Sequence, residues 1–206
     1  MASSARAQAK RETREALIHA GLEAFAAEGL DAPSLDAICA RAGFTRGAFY
    51  VHFKDRDDFL VAVMEDVLGR FLDAVIATGD EAHDLGHTIE RFTGALDLGK
   101  HPPGSGSWSA SPLLGPLQVS RLTEAAARSS AIRARLVEII GEAVARVAQA
   151  TRSGQASGTV RRDVAPEVGA QLLVIAALGL LGATELGVPL DVPAMRAAVV
   201  RLLGRS

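Results

Sequence analysis

An all-α fold in two parts, an N-terminal three-helix helix-turn-helix unit and a larger C-terminal helical domain, is predicted by three features of this 206-residue chain. Between Ser34 and Leu60, two short helical patterns and the start of a third are separated by a glycine turn. From Phe59 to Ile76, apolar pairs recur every four residues, the spacing of one face of a long helix. Aromatic residues make up only 4% of a chain that is 49% hydrophobic, so the core must be built from Ala, Leu and Val. Helix-on-helix packing tolerates such a core.

Taken in order, Ala9 to Glu28 predicts a first helix, with Leu17, Ile18, Gly21, Leu22 and Phe25 at helical spacing and Gly29 ending it. Ser34 is a good N-cap for the next helix, whose inward face is Leu35, Ile38 and Cys39. Gly43 supplies the left-handed residue that stops it, and Phe44 plugs the turn. Thr45 caps a very short helix that carries Arg46, Gly47, Ala48, Tyr50 and His52, with Phe49 and Phe53 as its core residues. One cation, small residues and hydrogen-bonding rings suit a helix that lies against a duplex. Asp55 caps the following helix, and Asp57 and Asp58 meet the positive end of its dipole. That helix runs to about Thr78 and outlasts the small unit, which sets domains at 1–54 and 55–206 with 55–78 as a connecting helix.

Further along, Asp84 to Leu98 predicts a helix with Leu85, Ile89, Phe92 and Leu96 inward. Gly99 to Pro116, rich in Gly, Pro and Ser, predicts a loop that contains Trp108. Leu117 to Arg128 and Ile132 to Ser153 predict two more helices, followed by a turn at Gly154 to Gly158. Val168 to Leu186 is a helix apolar on nearly every side, which must be covered all round. Val192 to Leu203 closes the chain.

A single cysteine excludes an internal disulfide and fits a reducing compartment. The first ten residues lack the apolar stretch of a signal peptide, and the longest near-apolar run, Leu172 to Ala183, falls short of the roughly 20 residues of a membrane span. The expectation is a cytoplasmic protein with no membrane partner. A net charge of −2 argues against nucleic acid until its distribution is considered. Residues 1–14 carry Arg6, Lys10, Arg11 and Arg14 against Glu12 alone, and residues 37–54 carry Arg41, Arg46 and Lys54 with no acid. The two segments would share one face if the first helix supports the helix-turn-helix.

The residues Ser34, Ile38, Ala42, Gly43, Phe44, Thr45, Gly47, Tyr50, His52, Phe53 and Leu60 resemble, in fixed register, the TetR-type transcriptional regulators. Arg56 stands where that family has lysine and Cys39 where it has alanine. The resemblance implies a homodimeric regulator, most often a repressor, of a near-palindromic double-stranded DNA operator, released by a small apolar effector. The DNA-binding candidates are Ser34, Thr45, Arg46, Gly47, Ala48, Tyr50, His52, Lys54 and Arg56. Arg46 would read a base edge, since arginine pairs bidentately with guanine. Thr45, Tyr50, His52 and Lys54 would hold phosphates.

The candidate effector pocket comprises His87, Phe92, Trp108, Leu117 and Arg121. The candidate dimer interface comprises Leu136, Ile140, Val144, Leu172, Ile175, Gly179 and Gly182, on the two helices that in such a family form a four-helix bundle with their partners. No cofactor, metal or catalytic residue is expected. The rival reading is a metal-dependent helical enzyme using His83 and His87, which sit at i, i+4. It is weakened by Asp84 where a metalloprotease has glutamate and by Gly86 within the helix. A third reading keeps DNA binding without an effector.

Overall fold

Caps and close contacts, more than propensity, set the element boundaries in the computed structural model, which describes residues 2–76, 85–95 and 118–204. Among these, α1 (Ala2–Glu28) begins earlier than its apolar stripe predicts. Ala, Arg, Lys and Gln extend it without a buried face, helped by a Gln8–Glu12 hydrogen bond of 2.8 Å one turn apart. In α2 (Leu35–Ala42), Ser34 Oγ accepts from the Ala37 amide at 3.1 Å, and Gly43 at φ 76° closes the helix. Thr45 Oγ1 accepts from Ala48 at 3.2 Å to start α3 (Arg46–Tyr50). For α4 (Arg56–Val75) the capping is reciprocal. Asp55 accepts from the Asp58 amide at 2.9 Å, and Asp58 accepts from the Lys54 amide at 2.8 Å.

The first core is aromatic at its centre. Phe59 packs against Phe53 at 4.9 Å, Phe49 at 5.3 Å and Phe25 at 6.1 Å between ring centres. Gly21 lets α1 and α4 meet there: a Cβ on it would stand 2.4 Å from the Phe59 ring. This core also takes in Leu122, Ala125 and Ala126 of α6 (Val119–Arg128) and Ile132 at the start of α7 (Ser130–Ser157). The hydrophobic cluster around the helix-turn-helix therefore crosses position 54. Arg128 adds an ion pair to Asp31 at 2.7 Å.

The second core joins the far half of α4 (Phe71, Leu72, Val75) to α5 (Leu85–Ala95), α7 and α8 (Pro166–Glu185). Ion pairs Glu65–Arg135 at 2.8 Å and Asp73–Arg146 at 2.6 Å run from α4 to α7 along this seam. The N-terminus of α6 lacks a side-chain cap of its own, and Glu185 at the end of α8 accepts from the Val119 and Ser120 amides instead. α9 (Val192–Leu203) packs against α5.

Two expectations change here. α7 runs straight through the predicted turn at Gly154. That glycine serves a close approach, since its Cβ would lie 2.5 Å from Val160, and the chain turns at Gly158, φ 81°. α8 spans 20 residues at mean hydropathy 1.7, with Glu167 and Glu185 only at its ends, and by length and composition could cross a membrane. The shorter run Leu172 to Ala183 underestimates it because helical order extends past the purely apolar segment. One side of α8 is covered by α7 and a cavity; the other carries exposed Leu172 and Ile175.

Candidate nucleic-acid interface

A five-residue helix cannot stand alone, and α3 is held by one side chain. Phe49, fully buried, enters the aromatic cluster and thereby turns Arg46, Gly47 and Tyr50 outward. Arg46 is already ordered. Its Nη1 donates to Asp36 Oδ2 at 3.1 Å, its Nη2 donates to the Tyr50 hydroxyl at 3.3 Å, and the guanidinium lies 5.8 Å from the Tyr50 ring centre. The Tyr50 hydrogen bond and the Asp36 charge raise the Arg46 pKa further above its ordinary value. Asp36, in the first turn of α2, is not legible as part of this surface because nothing in the sequence pairs it with a residue ten positions on.

Around the end of α3 the surface is basic. Burial, then the charges of Lys10 and Arg14, hold the half-buried His52 below its ordinary pKa. The Arg14 guanidinium sits 5.4 Å from the Phe53 ring centre. α1 thus brings Lys10 and Arg14 beside the helix-turn-helix, as the charge runs predicted, and adds both to the candidate surface. Lys54 is exposed at the following turn. Ser34 and Thr45 hydroxyls accept from helix amides and still have a donor to give. Gly47 faces open space apart from Thr45 Oγ1, 3.6 Å from where its Cβ would stand, and Ala48 is half-buried beside it.

Arg56 is a correction. Its two terminal nitrogens donate at 2.7 Å to the carbonyls of Leu30 and Pro33, and its guanidinium lies 6.0 Å from the Phe25 ring centre. It clamps the α1–α2 connection to the start of α4, so its donors face inward. Cys39 is buried, which raises its thiol pKa and keeps it protonated.

The second feature is an apolar cavity of about 220 Å³ lined by α4, α5, α6, α7, α8 and α9. Phe92 lines it and meets Phe71 edge to face at 6.3 Å. The other pocket candidates do not converge there. His87 is exposed in a shallow outer groove with Glu90 and α9. Arg121 reaches 3.3 Å from the Cβ position of Gly29, against the end of α1. Trp108 and Leu117 lie outside the described residues, as does His83. Among the described residues no three His, Cys, Asp or Glu side chains gather as a metal site would require.

The predicted interface splits likewise. Leu136 and Ile140 line the cavity, sharing a stripe of α7 with Ile139 and Ala143, and Val144 is half-buried against the second core. The exposed residues of that helix include Val137, 63% exposed, and Gly141. Spacing marks Leu136 and Ile140 as part of an apolar face of α7 without saying what covers that face. On α8, Leu172 and Ile175 are 63% and 65% exposed, and Gly179 and Gly182 have nothing within 4 Å of a Cβ position.

Residues 17–63 match the family described as bacterial regulatory proteins, tetR family. An uncharacterized HTH-type transcriptional regulator of Pseudomonas putida, TtgW, is 47% identical over 64 residues, which span 31% of this chain and 47% of that protein, under half its length. Over the whole fold, the reduced form of Escherichia coli NemR superposes with TM-score 0.73 at 19% identity, covering 94% of this chain and 97% of that one. SmeT, the repressor of the Stenotrophomonas maltophilia multidrug efflux pump SmeDEF, superposes in its triclosan complex with TM-score 0.66 at 22% identity, covering 94% and 92%.

Proposed function

We propose that this chain, which belongs to the TetR family through its N-terminal domain, is a homodimeric transcriptional repressor whose two α3 helices read successive major grooves of a near-palindromic operator. The observation that carries this is the outward presentation of α3: Phe49 fixes the helix while Arg46, Gly47 and Tyr50 face solvent beside the basic end of α1. Arg46 reads a guanine edge, and Thr45, Tyr50, His52, Lys54 and Ser34 hold phosphates, with Lys10 and Arg14 joining them. The exposed stripe Leu172, Ile175, Gly179 and Gly182, with Val137 and Gly141 beside it, is covered by the second protomer. We retain residues 1–54 as the DNA-binding domain and 55–206 as the effector and dimerisation domain.

The cavity is the effector site, a reading supported by its apolar walls and by the triclosan complex of SmeT. Its connection to the DNA is α4. The first half of that helix lies in the helix-turn-helix core and the second half forms a cavity wall. Twenty residues make a rod about 30 Å long. An effector that prefers a cavity shape incompatible with the operator spacing lowers affinity by that preference, commonly about 1 to 3 kcal/mol.

Selection of duplexes from a random pool tests this. A recovered two-fold-related site with half-sites about 10 bp apart or somewhat more supports the reading, and a protein that enriches no sequence and sediments as a monomer overturns it.

A further inference from the structure

The cavity walls are apolar except on two helices. α5 offers Thr88 and Thr93, and the Thr93 hydroxyl already bonds the Ile89 carbonyl at 2.9 Å. α9 offers Arg196. Val192, Met195, Arg196 and Val199 all line the cavity and follow the i, i+3, i+4, i+7 spacing of one helix stripe, so a cation occupies a place that its neighbours give to hydrocarbon. It is the only charged residue among the described lining residues of the cavity. Arg196 also lines the shallow outer groove with His87 and Glu90, which places it where the cavity meets water. In the resting protein an arginine so placed lays its stem over apolar surface and keeps its head hydrated.

A neutral hydrocarbon entering this cavity would gain nothing from that guanidinium. An apolar molecule with one carboxylate would gain a charge-assisted, bidentate pair at the boundary of a low-dielectric site. We propose that the effector is an amphiphilic monocarboxylate, its aliphatic or aromatic body filling the cavity between α4, α7 and α8 and its carboxylate held by Arg196 between α5 and α9. Glu90 on the same groove disfavours a second negative charge, so monoanions are preferred over dianions. The inference rests on the cavity being the effector site.

The test is calorimetric titration of the full chain, below micelle-forming concentrations, with two matched pairs: decanoate against 1-decanol, and 4-butylbenzoate against 4-butylbenzyl alcohol. The acids should bind at least about tenfold more tightly than the alcohols, a difference of about 1.4 kcal/mol. Arg196→Gln should erase that preference by weakening the acids alone, and Arg196→Lys should restore part of it. Ala177→Phe, which fills the cavity, should weaken acids and alcohols together. Alcohols that match the acids on the unsubstituted protein, or an Arg196→Gln loss shared equally by both, overturn the carboxylate assignment and leave the cavity reading standing. Acid binding that survives Ala177→Phe lies elsewhere and overturns the assignment as well. If none of the four compounds binds, the assignment and the cavity reading fall together.

Discussion

Asp36 of α2 accepts a hydrogen bond from Arg46 of α3 at 3.1 Å, so the first residue of the exposed helix is held in place from the helix before it. With Tyr50 on the neighbouring nitrogen, the remaining guanidinium donors project from a fixed frame. Under the proposed function, Arg46→Ala weakens specific binding by about 1 to 3 kcal/mol and relaxes preference at one base pair per half-site. Asp36→Asn removes an anion facing the phosphates and frees the arginine, so binding to random duplex strengthens while the ratio of specific to random affinity falls, by about 1 kcal/mol. Lys54→Ala weakens all sequences alike and flattens the salt dependence. Competition band shifts over a salt series separate the three; equal losses on specific and random DNA for Arg46→Ala and Lys54→Ala would refute the division of roles.

Gly47→Ala isolates contact with DNA from folding. The nearest neighbour of the added methyl, Thr45 Oγ1, is 3.6 Å away, an ordinary van der Waals distance, and helix propensity favours alanine by about 1 kcal/mol. The melting temperature should hold or rise while operator affinity drops at least severalfold, read by melts and fluorescence anisotropy on one preparation.

Gly21→Ala has the opposite signature. Its methyl would stand 2.4 Å from a Phe59 ring wedged among Phe25, Phe49 and Phe53, so the ring has nowhere to move. The expected cost is about 1 to 3 kcal/mol of unfolding free energy despite better helix propensity, measured by urea denaturation.

His52 gives the fold a pH dependence of known sign. Its folded pKa lies below the ordinary value through burial and the nearby charges of Lys10 and Arg14, so the unfolded chain binds the proton more readily. The stability this contributes is full above the unfolded pKa, about 6.5, and is lost as pH falls from there toward the depressed folded value. His52→Gln should shrink the drop in melting temperature between about pH 7.5 and about pH 5.5; an unchanged drop assigns the acid sensitivity elsewhere.

Gly179→Leu fits the isolated chain, having open space on α8, and should disturb only the proposed face between protomers. Sedimentation is expected to shift toward monomer at low micromolar concentration with operator affinity lost in parallel. An unshifted profile with normal affinity would move the interface elsewhere.

How far these features could be read from the residues alone follows from the range of the forces involved. The Ser34, Thr45 and Asp55 caps and the Gly43 turn were legible because each is satisfied within three or four residues. Arg56, the Glu185 cap on α6 and the Asp36–Arg46 pair were not, since their partners lie ten to about seventy positions away or on another helix. Leu136 and Ile140 pass for interface residues because spacing shows an apolar face of α7 but not whether the same chain or another covers it. Gly154 resembled a turn for a related reason: Val160, which demands the missing side chain, comes close only after Gly158 reverses the path.

The arrangement of α4 also constrains how such a protein can change over generations. On the proposed function, replacing Phe71 or Val75 alters the arm that carries the reading head as well as the chamber, so a change of effector made there would also shift the spacing of the two heads. The walls supplied by α5 and α9 lie outside both that arm and the proposed protomer face. On the proposed function, Thr88 and Arg196 are positions where one effector could be exchanged for another without touching that arm.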